Sequence, residues 1–269
     1  MEKTQIKVSI LVSTYNWKEE LALCLRSIFA QTVLPYEIAI ADDGSKNDTR
    51  ELIEKLKKES TVPIKHVWHE DKGFRKTIIL NKAITEMEGD YIIEIDGDVV
   101  LSPYFISDHL DICQPNCFVC GSRVLLSKKT TEKILKTQKF KIFLWDLSLG
   151  HIFNKYRCHY LRQFLADRYD RDIAHARGCN MAYWRKDLIK VNGFNEDFIE
   201  WGYEDSELAY RLHFAGVHKR SLKFGGVEYH LLHSVASREN AKSNYKELER
   251  TQREKKSWCT NGLDKYQYE

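Results

Sequence analysis

Apolar runs and amphipathic segments alternate regularly along the first part of the chain. Short apolar runs rich in β-branched residues predict buried strands at 8–12, 36–41, 64–68 and 91–95. Apolar residues at helical spacing predict helices between them, at 19–31, 48–59 and 77–87. Strands that alternate with helices over short links favour an α/β fold with parallel strands and right-handed crossovers.

Polar clusters follow three of these predicted strands, at the point where each strand ends. They comprise residues 13–16, 42–45 and 96–98. In a parallel sheet the carboxyl ends of the strands share one edge, and ligands bind beyond that edge. The sequence therefore predicts a ligand site built from all three clusters.

The second part of the chain is less regular. Its pattern predicts a strand at 118–126, a mostly helical segment at 128–169, a late strand at 225–233 and a charged helix at 239–256. No internal repeat or low-complexity linker interrupts it. We expect one domain over residues 1–269, with a nucleotide-binding half (1–124), a variable helical segment (125–173), an acceptor and catalytic half (174–238) and a charged C-terminal helix (239–269).

Composition and charge narrow the classes of protein. The net charge is +3, with 42 Lys and Arg against 39 Asp and Glu, which does not indicate a nucleic acid partner. The seven cysteines are odd in number and lack the spacing of a disulfide scaffold, which favours reduced thiols. The pattern shows no signal peptide and no apolar stretch that would span a membrane, so we expect a cytoplasmic location.

The triplet Asp96-Gly97-Asp98 ends the fourth predicted strand. Two carboxylates spaced by one residue can hold a hard divalent cation, and Gly97 allows another group to approach the backbone closely. The alternative is an ordinary solvated turn. The preceding apolar strand favours the metal site.

Two other segments suggest contacts to a nucleotide. A carboxylate in the cluster at 42–45 can accept hydrogen bonds from a ribose or a base, or the cluster can be a turn that caps the next helix. Arg75 can donate to a diphosphate, or it is an exposed loop arginine. The residues alone leave both pairs of alternatives open.

Acids and imidazoles in the second part complete the candidate chemistry. Glu204 and Asp205 follow Trp201 and Tyr203, and an acid in a pocket lined by aromatic residues suits general base catalysis on a sugar hydroxyl. The alternative is a helix start whose acids complement the helix dipole. His230 and His233 are spaced so that, on a turn or helix, both can reach one metal ion.

Taken in order, these segments resemble the family 2-like GT-A glycosyltransferases, with a C-terminal part similar to the β1,4-galactosyltransferases and chondroitin polymerases. The matching segments are 8–16 (VSILVSTYN), 41–45 (ADDGS), 73–83 (GFRKTIILNKA), 96–98 (DGD), 177–180 (RGCN), 193–194, 201–207 (WGYEDSE) and 230–233, with Asn240 further on. The resemblance covers nearly the whole chain except about residues 125–173. It implies a GT-A fold with a mostly parallel central sheet, flanking helices and a helical acceptor-side region.

The resemblance also implies a role for each candidate residue. Uridine contacts fall on Thr14, Tyr15 and Asp43, with Arg75 near the nucleotide. Asp96, next to Gly97, falls on a donor contact, and the metal ligands fall on Asp98, His233 and His230. Asp205 falls on the catalytic base, and Glu204 and Trp201 on sugar contacts.

The implied activity is transfer, with inversion, of a hexose or N-acetylhexosamine from a UDP-sugar to a glycan or lipid-linked acceptor, with Mn²⁺ or Mg²⁺. A nucleotidyltransferase and an inactive nucleotide-sugar-binding module are the alternatives. Segment 125–173 is interpreted as a helical lid, and the alternative is a peripheral contact with an anionic membrane. The sequence predicts neither the donor sugar, the acceptor nor the oligomeric state.

Overall fold

A computed structural model describes residues 6–140, 142, 156–168, 173, 176–233 and 241–266. The strands in this part of the chain are β1 (Val8–Thr14), β2 (Glu37–Asp42), β3 (Ile64–Trp68), β4 (Tyr91–Asp96), β5 (Val99–Leu101), β6 (Cys117–Cys120), β7 (Arg123–Leu125), β8 (Met181–Trp184), β9 (His218–Ser221) and β10 (Glu228–His230). The helices are α1 (Lys18–Phe29), α2 (Asn47–Glu59), α3 (Lys76–Glu86), α4 (Phe105–Ile112), α5 (Lys128–Thr137), α6 (His159–Ala166), α7 (Arg185–Lys190), α8 (Glu204–Phe214) and α9 (Ala241–Glu254).

The central sheet has seven strands in the order β3-β2-β1-β4-β8-β6-β9. The first four predicted strands are parallel neighbours, which confirms the α/β prediction. Strands β4 and β6 both pair antiparallel with β8, and β9 returns parallel to β6. The carboxyl ends of β1, β2 and β4 therefore lie side by side, as the sequence predicted.

Alternate residues of the buried strands pack on opposite faces of the sheet. In β1, Ile10 and Val12 pack with α1, α2 and α4, whereas Leu11 packs with α3, α7 and α8 on the other face. Both faces exclude water, so the strands consist of nearly continuous apolar runs rather than alternating ones. The hydrogen-bonded register pairs Ser13 with Ala41 on one side and with Asp96 on the other, which aligns the strand ends.

A small second sheet lies beyond the end of β4, with the order β5-β10-β7. The single strand predicted at 118–126 is wrong, because β6 belongs to the central sheet and β7 to the small one. Gly121 separates them: its N–H donates to Asn180 O (2.8 Å). A Cβ at Gly121 would lie 2.2 Å from Asn180 Oδ1, so only glycine allows the chain to turn here.

The late strand predicted at 225–233 is also shorter than expected. It covers only β10, because the N–H of Gly226, which has φ +54°, donates to Asp108 Oδ2 (2.9 Å), before the strand begins.

The predicted segment 128–169 contains α5 and α6; residues 141, 143–155 and 169 lie outside the described residues, as does Asn240. None of the helices in the described ranges is long and apolar enough to cross a membrane. The proposed division of the chain at 124, 173 and 238 stays a prediction.

Candidate active site

The carboxylate of Asp43 lies where the ends of β1 and β2 meet the loop after β3. Its backbone N–H donates to Thr14 O (3.0 Å), which holds the two strand ends together. Its Oδ1 lies 2.6 Å from His69 Nε2, and its Oδ2 accepts the N–H of Arg75 (2.8 Å). The helix-capping alternative for this cluster is wrong, because Lys46 precedes α2 and no side chain caps that helix.

The loop after β3 is fastened over the same strand ends. The half-exposed Tyr15 donates its hydroxyl to Asp71 Oδ2 (2.8 Å). Gly44, with φ +97°, allows the backbone of Asp71 to approach, since a Cβ there would lie 2.6 Å from Asp71 Cα. Asp43 and Tyr15 therefore both hold this loop, which brings together residues expected to contact the nucleotide.

The basic residue at the centre of the site is Lys76, which the sequence analysis did not single out. Arg75 directs its guanidinium to the carbonyl of Glu70 in its own loop. Lys76, the next residue, instead lies with Nζ 3.0 Å from Asp96 Oδ1 and 4.0 Å from Glu94 Oε1. A positive charge in the first turn of a helix is unfavourable next to the positive end of the helix dipole. The position of Lys76 in the sequence therefore indicated a role other than stabilising the helix.

Asp96 is the last residue of β4, and Gly97 and Asp98 follow it, so the triplet ends this strand as predicted. Gly97 donates its N–H to Ser13 O (2.7 Å), and a Cβ there would lie 2.9 Å from the same oxygen. The close approach expected at this glycine is therefore confirmed, and the group that approaches it is the end of β1. Asp96 accepts from Ser13 Oγ (2.8 Å) as well as from Lys76. Burial acts to raise the pKa of Asp96, but the charge of Lys76 outweighs it and holds that pKa below its usual value.

A second acid, Glu94, lies fully buried behind these residues. It interrupts the apolar run of β4, and a charged residue in a doubly covered strand is the signal that could have identified it. Tyr183 donates its hydroxyl to Glu94 Oε2 (3.0 Å). Burial, followed by the charge of Asp205, raises the pKa of Glu94 well above its usual value.

Glu204 and Asp205 are the first two residues of α8, as the sequence suggested. The N–H of Gly178 donates to Asp205 Oδ2 (2.7 Å), and that of Gly202 donates to Glu204 Oε2 (3.0 Å). Burial raises the pKa of Asp205, and burial with the charge of Asp205 raises the pKa of Glu204 to about 7. Raised carboxyl pKa values bring these acids toward the range where a general base works best.

Glycine is required at position 178, between two of these acids. A Cβ at Gly178 would lie 2.6 Å from Asp205 Oδ1 and 2.7 Å from Glu94 Oε1. The turn Gly178–Asn180 thus allows the two carboxyls to approach one backbone position. Trp201 is partly exposed beside them, and Tyr203 stacks edge-on against Tyr245 with ring centroids 5.3 Å apart.

The candidate metal site consists of Asp98, His230 and His233, whose ligand atoms all lie within 4.8 Å of one another. Asp98 Oδ2 lies 3.0 Å from His233 Nε2 and 3.6 Å from His230 Nε2. The two imidazoles do not lie on a helix or turn, because His230 ends β10 and His233 follows it. Pairing of β10 with β5 (His230↔Val99) brings them beside Asp98.

The donor atoms of this cluster fit a divalent cation. His230 Nδ1 lies 3.0 Å from Leu231 O, and a proton shared there leaves the Nε2 lone pair available to a metal ion. Asp98 Oδ1 is buried without a hydrogen-bond partner in the described structure. An unsatisfied buried oxygen costs desolvation free energy unless another group binds there. One carboxylate and two imidazoles suit Mn²⁺ and related borderline cations.

Comparison with known proteins identifies sequence relatives and solved structures that this chain resembles. The chain is 26% identical to the chondroitin synthase of Escherichia coli over 238 residues, which cover 83% of this chain and 34% of that protein. It thus spans about a third of that relative's length. The solved structure of S. aureus TarS 1-349 in complex with UDP-GlcNAc matches with TM-score 0.60 and 15% identity, over 90% of this chain and 65% of that one. The mannosyltransferase PcManGT from Pyrobaculum calidifontis, in complex with GDP-Man and Mn²⁺, matches with TM-score 0.59 and 16% identity, over 86% and 59%.

The fold and the sequence relatives together define a glycosyltransferase with the GT-A fold. The family model described as glycosyl transferase family 2 matches residues 9–191, and the chain belongs to that family. A second family model, described as the N-terminal domain of galactosyltransferase, matches residues 159–234. The resemblance, the GT-A fold and the enzyme class expected from the sequence are confirmed, and the nucleotidyltransferase and inactive-module alternatives are set aside.

Proposed function

We propose that this chain transfers a sugar from a UDP-sugar to an acceptor hydroxyl, with inversion and with a divalent cation bound by Asp98, His230 and His233. The observation that carries the proposal is the buried, unpartnered Oδ1 of Asp98 beside two imidazoles. This cluster lies at the carboxyl edge of the sheet, where a diphosphate would face it. When bound, Mn²⁺ or Mg²⁺ would neutralise the charge that develops on the leaving diphosphate.

Asp205 is the proposed general base. Its Oδ2 is held by the Gly178 N–H, whereas its buried Oδ1 has no hydrogen-bond partner in the described structure. That oxygen is available to take the proton from an acceptor hydroxyl, whose oxygen then attacks the anomeric carbon from the face opposite the diphosphate. Lys76 lies among the acids, and its charge lowers the pKa of Asp205 against the effect of burial. Lys76 thus opposes the protonation of Asp205 that burial favours.

Glu204 and Trp201 are proposed to bind sugar. Glu204 begins the same helix as Asp205, and Trp201 is partly exposed next to the pair. An indole face can stack on the apolar face of a pyranose while a carboxyl or carboxylate bonds its hydroxyls. This arrangement would orient the acceptor hydroxyl toward Asp205 Oδ1.

The nucleotide is proposed to bind at the strand ends beside Thr14, Tyr15 and Asp43, with Arg75 and Asp96 as further donor contacts. Asp43 is held from two sides by His69 and Arg75, so its carboxylate is fixed before a ligand arrives. The TarS structure holds UDP-GlcNAc and the mannosyltransferase structure GDP-Man. We propose UDP because the galactosyltransferase-like C-terminal match accompanies the family 2 match.

The acceptor is proposed to be a glycan or a lipid-linked glycan, as the name of the related chondroitin synthase suggests. A cytoplasmic location with peripheral membrane contact through segment 125–173 stays a prediction, as does the lid interpretation.

The test is a UDP-release assay on a panel of UDP-sugars with and without Mn²⁺, using the wild type and Asp98→Ala. We expect slow hydrolysis of one donor that requires the metal and is lost in the variant. Calorimetry on the same samples measures UDP binding where turnover without acceptor is too slow. Failure to bind any nucleoside diphosphate in the presence of Mn²⁺ would overturn the proposal.

A further inference from the structure

Two carboxyl oxygens face the same backbone position, Gly178, and neither has a hydrogen-bond partner in the described structure. They are Glu94 Oε1 and Asp205 Oδ1, and both are buried. A Cβ at Gly178 would lie 2.7 Å from the first and 2.6 Å from the second, so the two oxygens are no farther apart than the sum of these distances. One water molecule can span such a separation, because each O–H···O bond is about 2.5–3.0 Å long.

Glu37 on β2 shows how an ionised glutamate is held inside the same sheet. Its Oε1 accepts from Ser9 Oγ (2.7 Å) and from the N–H of Glu88 (2.6 Å), and its Oε2 lies 2.9 Å from Lys65 Nζ. Burial acts to raise the pKa of Glu37, but hydrogen bonds from these groups outweigh it and lower that pKa. A buried carboxylate is thus stabilised here by several donors and a cation.

Glu94, which is fully buried on β4, lacks such a set of donors among the described residues. Its Oε2 accepts from the Tyr183 hydroxyl (3.0 Å), whereas Lys76 Nζ stays 4.0 Å from Oε1 and bonds Asp96 Oδ1 at 3.0 Å. Protonation removes the cost of burying a carboxylate that has too few donors. A proton on Glu94 belongs on Oε1, since Oε2 already accepts from Tyr183.

We propose that Glu94 is neutral and donates, through one water molecule, to Oδ1 of Asp205, and so fixes the free oxygen of the base. The inference rests on the proposed function only in taking Asp205 as the base. A carboxylate oxygen has two lone pairs, so Oδ1 can accept this bond and still take the proton of an acceptor hydroxyl. Glu94 is thus a positioning residue, and Gly178 keeps a side chain out of the space between the two carboxyls.

The titratable or charged groups that act on the two carboxyls come from several elements. They are Lys76 on α3, Asp96 at the end of β4, Glu204 on α8, Tyr183 on β8 and Cys120 on β6. Burial raises the pKa of Asp205, and the charge of Lys76 and the Gly178 N–H act against it. A further donor at Oδ1 also stabilises the charged form, so its removal should raise this pKa.

The first measurement is the infrared spectrum of the free protein at neutral pH, where a carboxylic acid shows a C=O band that a carboxylate lacks. We expect Glu94→Gln to lose one such band relative to the wild type. The matched control Glu37→Gln removes a buried glutamate that is held ionised, and should keep the band. An unchanged acid band in Glu94→Gln would overturn the proposal.

The second measurement is the pKa of Asp205, from the pH titration of its ¹³C-labelled carboxyl, identified as the NMR signal that Asp205→Asn loses. Glu94→Gln keeps a donor of the same shape, so Asp205 should titrate as in the wild type. Glu94→Leu removes the donor, and Asp205 should titrate about one pH unit higher. If Glu94 is instead a carboxylate, both substitutions remove a negative charge and Asp205 titrates lower in both. That result, or a wild-type pKa of Asp205 in Glu94→Leu, would overturn the proposal.

Neither measurement requires a donor sugar or an acceptor. Failure of the wild type to bind UDP with Mn²⁺ would therefore overturn the proposed function and leave the Glu94–Asp205 contact to be decided separately. If Glu94→Leu does not fold, the infrared band and the titration of Asp205 in Glu94→Gln still decide the charge of Glu94. In the active enzyme, the acid limb of the pH profile of UDP release should move to higher pH in Glu94→Leu and stay in place in Glu94→Gln, whereas a purely structural role would not move it.

Discussion

Asp98 Oδ2 and His233 Nε2 lie 3.0 Å apart, although one residue follows β4 and the other follows β10 near the end of the catalytic half. His233 is further held by Trp17, whose ring centroid lies 4.3 Å from the imidazole centroid. This contact, beside the buried and unpartnered Oδ1 of Asp98, is the arrangement on which the proposed metal site rests.

Replacing His233 by Ala should weaken Mn²⁺-dependent UDP binding by more than about 100-fold, because loss of a ligand's supporting partner alone costs about 10–100-fold. Calorimetry with UDP at fixed Mn²⁺ measures the change. His218→Ala, an exposed histidine at the start of β9, is the control and should bind as the wild type does. Wild-type affinity in His233→Ala would remove this residue from the metal site.

Asp205→Asn should reduce the transfer rate by about 10²–10⁴-fold while UDP binding is retained. The amide has nearly the shape of the carboxylate and can still accept the Gly178 N–H, so the local structure is preserved. It cannot take a proton from the acceptor hydroxyl. The transfer rate with acceptor and the UDP affinity by calorimetry are measured on one preparation, which separates the two effects. An unchanged transfer rate would contradict the assignment of Asp205 as the base.

The raised pKa of Glu204 predicts a pH-dependent stability. The folded protein holds this proton up to pH about 7, whereas the unfolded chain releases it near the ordinary glutamate pKa of 4.5. The folded state therefore binds more protons between these values, and stability falls as pH rises through that window. Glu204→Gln should remove this loss and make the variant more stable than the wild type at pH 8, by up to about 3 kcal/mol.

Urea unfolding of the wild type and Glu204→Gln at pH 4.5 and pH 8 measures this difference. Glu249→Gln, at an exposed position of α9, should leave the pH dependence as in the wild type. If the free energy of unfolding depends on pH identically in the wild type and in Glu204→Gln, the pKa of Glu204 is not raised in the folded protein.

Lys76→Met should destabilise the protein by about 2 kcal/mol, because it leaves Asp96 without its charge-assisted hydrogen bond. It should also raise the pKa of Asp205, so that the pH profile of transfer moves to higher pH. Lys82→Met on the same helix is the control, since Lys82 lies over the ring of Tyr266 at 5.7 Å rather than beside an acid. A pH profile identical to that of the wild type would show that Lys76 only supports the fold.

The alternation of apolar and amphipathic segments determined the parallel half of the sheet and placed three polar clusters at one edge. This worked because residues in a doubly covered strand must be apolar, so the strands and their ends can be read locally. The same logic identified Asp96, Gly97 and Asp98 and the acidic start of α8. The local pattern did not predict the split into β6 and β7, because the turn at Gly121 depends on Asn180, which is distant in the chain.

Only the tertiary structure decided which side chains act on one another. The sequence suggested Arg75 as a contact to the diphosphate. The structure places Lys76 beside Asp96 and directs the guanidinium of Arg75 to its own loop. The closeness of Glu94 and Asp205 to Gly178 became visible only when the segments that carry them were brought together. Local pattern determines the strands and their ends, because burial acts on each residue separately. The partners of a charge are decided by contacts between segments far apart in the chain, where distance and desolvation set the free energy.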